Sequence, residues 1–373
     1  MRFLLIFIPF VWITAAAVEG QEAEDNATLP PSHESWFESG IDDFQQYWSR
    51  KVLIFSSNLD SLFAGEDQNI TSADTNQTES SYPGEHISKP QLENKEKTEI
   101  YVTSTWFDEF FKDETYLDTN NKSYVRIRAG YEYDKRGDSS VLHNIKARLK
   151  LPRTKDKWQL FIGDEADDKL SLSDAPRPSG GEGVGLKYFF PALYGRLFAN
   201  ASVGFSGIDN PYARTDLEYP VFLGSWLFKA AQNFKYSVED KFDEWTDFSF
   251  DHKLSDRDLV RVLLQRSTNS EIKGMEYLLR LSYRNALHHD IGTSYYVGFN
   301  GRTRDLPGNL YANGLVPQEG VYEYVAGIVW RQQLYKSYIF YQIEPIVSFH
   351  EQYDYRSNYL LRLSVDLYFG YTP

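Results

Sequence analysis

From Ser123 to the C-terminus the chain alternates apolar and polar residues with a period of two, the signature of strands with one greasy and one polar face. In the last run, Tyr359, Leu361, Leu363, Val365, Leu367, Phe369 and Tyr371 share one face, against Arg362, Ser364, Asp366 and Gly370 on the other. In the first run, Val125, Ile127, Ala129, Tyr131 and Tyr133 oppose Arg126, Arg128, Gly130 and Glu132. The second sets Ile145, Ala147, Leu149 and Leu151 against Asn144, Lys146, Arg148 and Lys150. Similar alternation recurs over 158–162, 184–190, 197–205, 213–221, 226–238, 246–253, 259–266, 275–284, 291–300, 321–334 and 337–349. The parse predicts about fourteen strands, or twelve if the weaker runs near Pro220 and Thr246 are not strands.

Upstream of Ser123 the period changes. Phe37, Ile41, Phe44, Trp48, Val52, Phe55, Leu59 and Leu62 fall at steps of three and four, which predicts an amphipathic helix over 36–62, interrupted near Gly40. Its stripe is expected to dock on the mouth of the chain's own β-domain, on a partner helix or on a membrane surface. Residues 65–100 are Asn, Thr, Ser, Glu, Gln and Lys with few apolar side chains, so burial offers little there to offset the entropy of ordering, and a disordered linker is expected. Trp106 to Phe111 form a second short amphipathic piece within a lead-in of 101–122. At the start, Met1-Arg2 and the apolar run Phe3 to Ala17 have the form of a secretory signal, with cleavage expected near Gly20. The expected domains are therefore a signal at 1–20, a helical segment at 21–64, the linker at 65–100, the lead-in at 101–122 and a β-domain at 123–373.

Composition separates the ways in which so many strands might close. The mean hydropathy of −0.50 is too polar for a bundle of membrane helices and suits a barrel in which only alternate residues meet lipid. Aromatics at strand ends, Tyr124, Trp158, Trp226, Tyr295 and Trp330, suit interfacial girdles better than a soluble sandwich. Long connections at 164–182 and 301–320 follow the third and eleventh strands, on the same side, while turns such as 191–194, 255–258 and 335–336 are short. That is the loop polarity of a transmembrane barrel. The expected fold is thus all-β, a transmembrane antiparallel barrel of about 12 to 14 strands with a helical and partly disordered N-terminal extension.

The closing strand, with its long greasy face and terminal aromatics, resembles that of Gram-negative outer-membrane β-barrels, although Thr372 and Pro373 follow the last aromatic. Residues 123–373 look like proteobacterial barrels that carry a helical periplasmic segment before the first strand. The resemblance implies an outer-membrane location with the N-terminal segment in the periplasm. It also implies contact with outer-membrane lipid, lipopolysaccharide and the barrel-assembly machinery; separately, the stripe over residues 36–62 and the tether after it suit the docking of a periplasmic protein partner.

Candidate chemistry is sparse. There is no cysteine, hence no thiolate nucleophile or zinc-thiolate site. The seven histidines show no metal or nucleophile-base spacing; His288-His289-Asp290 reads as a solvated turn, since neighbouring residues on a strand point apart. Neither an enzyme, a cofactor nor a metal is expected, and the net charge of −14 argues against nucleic acid. The informative positions are the charges on the polar strand faces. Arg126, Arg128, Lys146, Arg148, Lys150, Lys187, Arg196, Arg261, Arg280, Arg284 and Arg362, with Glu132, Glu344 and Asp366, are expected to line the lumen. Such a basic-leaning interior predicts a passive, porin-like channel for small anionic solutes. Two readings compete with it: the charges pair into ladders that fill the interior, or the barrel is an anchor whose N-terminal helix docks an envelope complex.

Overall fold

The computed structural model describes residues 36–64, 95–111, 123–151, 157–163, 183–191, 197–207, 209–239, 241–270, 272–304, 311, 314–334 and 336–370. The signal at 1–20, linker residues 65–94, the loop at 164–182, residues 305–310 and 312–313 of the second long loop, and Arg196 lie outside them. Residues 44–373 form one compact unit; residues 36–43 are the opening turns of the first helix and belong to the other.

Two helices, α1 (Trp36–Ala64) and α2 (Lys95–Phe111), precede fourteen strands. The first seven are β1 (Tyr124–Asp134), β2 (Ser140–Leu151), β3 (Trp158–Ile162), β4 (Gly183–Phe189), β5 (Phe198–Ser206), β6 (Asn210–Leu223) and β7 (Trp226–Ser237). The rest are β8 (Lys241–Ser255), β9 (Asp258–Asn269), β10 (Ile272–His288), β11 (Ile291–Arg302), β12 (Gly320–Gln333), β13 (Ile339–His350) and β14 (Ser357–Gly370). Each pairs antiparallel with its neighbours in sequence, and β1 also pairs with β14, closing the barrel. The twelve-strand alternative is excluded, because β6 runs through Pro220 and β8 through Thr246. Pro220 lacks an N–H for the ladder, but the strand continues three residues past it to Leu223.

Burial along the strands is inside out. Ile127, Tyr131, Val141, Val203, Val297 and Leu363 face outward and are exposed, while Arg126, Lys146, Lys187 and Arg261 face inward and are buried. In water such an exterior would be an aggregation surface; around a closed barrel it is the lipid-facing band of a transmembrane protein. Trp226 and Tyr295 are exposed on that band. Tyr124 is not part of a girdle: it shares the inward register of Arg126 and Arg128, with its ring 6.2 Å from that of Tyr368.

The second helix is longer than its aromatic hexapeptide predicts. It opens at Lys95, inside the segment read as linker, because its first turns are too polar to show a stripe. The first helix lies across the strand ends where the barrel begins and finishes. Ser49 Oγ accepts from Gly370 N at 2.9 Å, Gln45 Nε2 donates to Tyr368 O at 3.4 Å, and Ser56 Oγ donates to Lys150 O at 2.7 Å.

Candidate functional site

Helix α2 sits inside the mouth of the barrel. Four of its side chains, Ser104, Phe107, Asp108 and Phe111, are almost wholly buried, and they recur at the three- and four-residue steps that put them on one face. Around them stand inward-facing residues of β7 to β11 and β13, all near the turns on the side where β1 starts and β14 ends. The helix therefore occupies the lumen at that end.

Its centre is ionic. Asp108 accepts from Arg261 Nη1 at 2.6 Å, from Arg284 Nη1 at 3.0 Å and from Lys229 Nζ at 3.1 Å. Arg261 also holds Asp251 on the neighbouring strand through Nε at 2.6 Å and Nη2 at 2.7 Å, and Ser104 Oγ donates to Asp251 at 2.5 Å. Burial pushes the Asp108 carboxyl up. The Arg261 guanidinium, Lys229 and Arg284 more than reverse this and hold it well below the usual carboxylate range.

The flanks of the helix are apolar. Ile100 and Tyr101 pack with Leu227, and Phe222 leans on that cluster. The Phe110 ring meets Phe340 edge-on at 6.2 Å, and Arg284 lies 5.6 Å from the Phe111 ring centre. Gly292 makes room for this pair: a Cβ there would stand 2.5 Å from Phe110 and 3.0 Å from Phe111.

A second network lines the seam. The β1–β14 register sets Arg128 opposite Asp366 and Glu132 opposite Arg362. Arg128 Nε and Nη2 donate to Asp366 at 2.5 and 2.8 Å, and Arg331 Nη1 reaches the same carboxylate at 2.8 Å. Arg362 pairs closely with Glu132 and lies 3.7 Å from Glu344, which accepts from Tyr296 Oη at 2.7 Å. Arg362 and Asp366, neighbours along one face, thus bond to other strands and not to each other.

Of the charges expected inside, Arg126, Arg128, Lys146, Arg148, Lys150, Lys187, Arg261, Arg280, Arg284, Glu344 and Asp366 are buried, and Glu132 and Arg362 are half-buried. The reading missed Asp108, Lys229, Asp251 and Arg331. For the strand residues a signal existed: Asp247, Ser249 and Asp251 alternate with Phe248 and Phe250. Asp108 looked like the polar edge of an aromatic helix, and only its partners reveal its role. Among the described residues, buried lysines and arginines outnumber buried acids fourteen to six, and inward acids such as Glu132, Asp216 and Glu218 are half-buried beside them.

Outside the lumen, His288, His289 and Asp290 form the exposed turn expected of them, but their side chains converge. A bulge after Ala286 and the tight turn bring their ligand atoms within 4.8 Å of one another, and His288 Nδ1 lies 2.5 Å from Asp290 Oδ1. Neighbouring side chains point apart along a regular strand, but not around this turn.

No protein-family model matches the sequence, and no curated protein matches it. Solved structures similar to the chain include three bacterial outer-membrane proteins. OmpT of Vibrio cholerae is 7% identical, covering 66% of this chain and 97% of its own, with a TM-score of 0.41. The outer membrane channel DcaP of Acinetobacter baumannii is 12% identical, covering 66% and 96%, at 0.41. OprB of Pseudomonas putida is 8% identical, covering 70% and 97%, at 0.44. The barrel itself is read from the closed strand pairing, independently of these similarities.

Proposed function

We propose that the protein is an outer-membrane channel for small anionic solutes, closed at rest by its own helix α2. The observation that carries this reading is Asp108, an acid on a separate helix, held among Arg261, Arg284 and Lys229 in the barrel mouth. Oppositely charged groups taken out of water fix a geometry more than they add stability, because desolvation offsets most of their attraction. A plug whose centre is held this way is released by loss of the Asp108 charge, a change that an all-apolar plug would not feel. When the helix leaves, three cations face the vacated mouth, and among the described residues buried lysines and arginines outnumber buried acids; that arrangement lowers the barrier for anions. The passive pore expected from the strand faces becomes in this reading a gated one, with the N-terminal segment on the periplasmic side.

Single-channel recording tests it, with full-length protein and Asp108→Asn in planar bilayers under a salt gradient. The expected result is rare current from the wild type and sustained, anion-selective current from the variant. A folded Asp108→Asn barrel that stays silent would instead support the filled anchor.

A further inference from the structure

The first helix turns two different faces to its surroundings. Gln45, Ser49, Val52 and Ser56, spaced by three and four, form the face on the barrel rim: three hydrogen-bond to strand-end backbone, and Val52 lies beside Gly370. The contact face is thus largely polar. The greasy residues Phe44, Tyr47, Trp48, Ile54 and Phe55 fall on the adjoining face and are each 46–56% exposed. Leu53 is the exposed apolar residue that lies off it.

We infer that α1 is an interfacial membrane helix, its aromatic face sunk in the lipid leaflet that surrounds the terminus end of the barrel. Three observations converge. Phe44 packs on Phe369, with rings 6.0 Å apart, and Phe369 belongs to the outward register of β14, so the aromatic face continues the lipid-facing wall. The helix crosses the wall where β14 and β2 end and β1 begins, which is the level where strand hydrocarbon contact gives way to headgroups. At the same end, outward-facing Ala147, Leu149 and Leu151 are buried, whereas Val141 and Ile145 further along β2 are exposed.

The chemistry of the helix fits that level. No described helix is long and apolar enough to cross a membrane, so α1 lies along the surface and does not span it. Lys51 sits between the aromatics with its Nζ 5.4 Å from the Tyr47 ring centre, a cation able to snorkel toward headgroups. The occupant of the face is therefore phospholipid, continuous with the lipid around the barrel. This inference rests on the transmembrane fold and not on the channel reading, so either can fail alone.

The chain has no cysteine, which permits single-site labelling. Full-length Trp48→Cys and Phe55→Cys probe the aromatic face, and Gln46→Cys and Ser57→Cys the exposed polar side, each with a nitroxide in phosphatidylethanolamine–phosphatidylglycerol vesicles. The expected result is a loss of collisions with a water-soluble nickel chelate and a gain with oxygen at 48 and 55, and the reverse at 46 and 57. Two outcomes overturn the inference. Equal nickel accessibility at all four sites would mean a solvated helix, and shielding of 48 and 55 from both reagents would mean a protein partner or a second copy. All four positions are exposed, so the labels leave folding intact.

Discussion

Arg261 clasps Asp108 with both terminal nitrogens, Nη1 to Oδ1 at 2.6 Å and Nη2 to Oδ2 at 3.1 Å, while its Nε and Nη2 hold Asp251. One planar guanidinium thus joins the plug to the wall. Without it, Lys229 Nζ, 3.1 Å from Asp108 and 3.9 Å from Asp251, would be left to bridge the two buried carboxylates.

That geometry separates charge from shape. Lysine at 261 keeps the positive charge but offers a single nitrogen, and it cannot bridge both carboxylates in the plane of a fork. Arg261→Lys should therefore open the channel part of the way, and Arg261→Ala fully, as read by open probability in planar bilayers. Equal effects of the two would mean that charge alone seats the helix.

The depressed Asp108 carboxyl sets a pH window. A carboxyl whose pKa is lowered on docking contributes stability that is fully present above its ordinary value of 3.8 and is lost only as pH falls through the lower, docked value. Conductance of the wild type should then stay low from pH 7 to about pH 5 and rise only in stronger acid, if the barrel survives it. Opening that begins near pH 6 would point to a different titrating group as the latch.

Gly292 is the steric counterpart of the latch. A Cβ there meets the rings of Phe110 and Phe111, and larger side chains have no room unless those rings withdraw. Gly292→Val should shift α2 without touching a single charge, costing the docked state on the order of 1–3 kcal/mol by overpacking. Protease cleavage within 95–111 is the direct readout, faster in the variant than in wild type, with heat-modifiable mobility of the barrel unchanged.

The barrel was written plainly in the sequence, and the plug was not. Alternation survives in every strand because lipid outside and charge inside each enforce one parity, so even the stretches at Pro220 and Thr246 kept their strand pattern. The inward charges followed from the same parity. Three features depend on contacts distant along the chain and left no local mark. Asp108 pairs with residues 121 to 176 positions away. The face that α1 lays on the rim is its polar one, although the greasy stripe suggested otherwise. His288 and His289 converge because of a bulge, which period-two reasoning does not anticipate.

The seam supplies the last prediction. Arg128 and Asp366 stand opposite each other, and in an isolated pair exchanging their charges would restore the bond. This pair is not isolated: Arg331 Nη1 lies 2.8 Å from the Asp366 carboxylate, so an arginine at 366 would be pressed against it. Removing one member of a buried ion pair costs about 3–5 kcal/mol, and the exchange here replaces one loss with a like-charge contact. Arg128→Asp and Asp366→Arg should each destabilise the barrel, and the double variant should remain destabilised. It should recover only when Arg331→Gln is added. Gel mobility after heating across a temperature series gives the midpoints, and full rescue by the double exchange alone would show that Arg331 does not bear on the closure between β1 and β14.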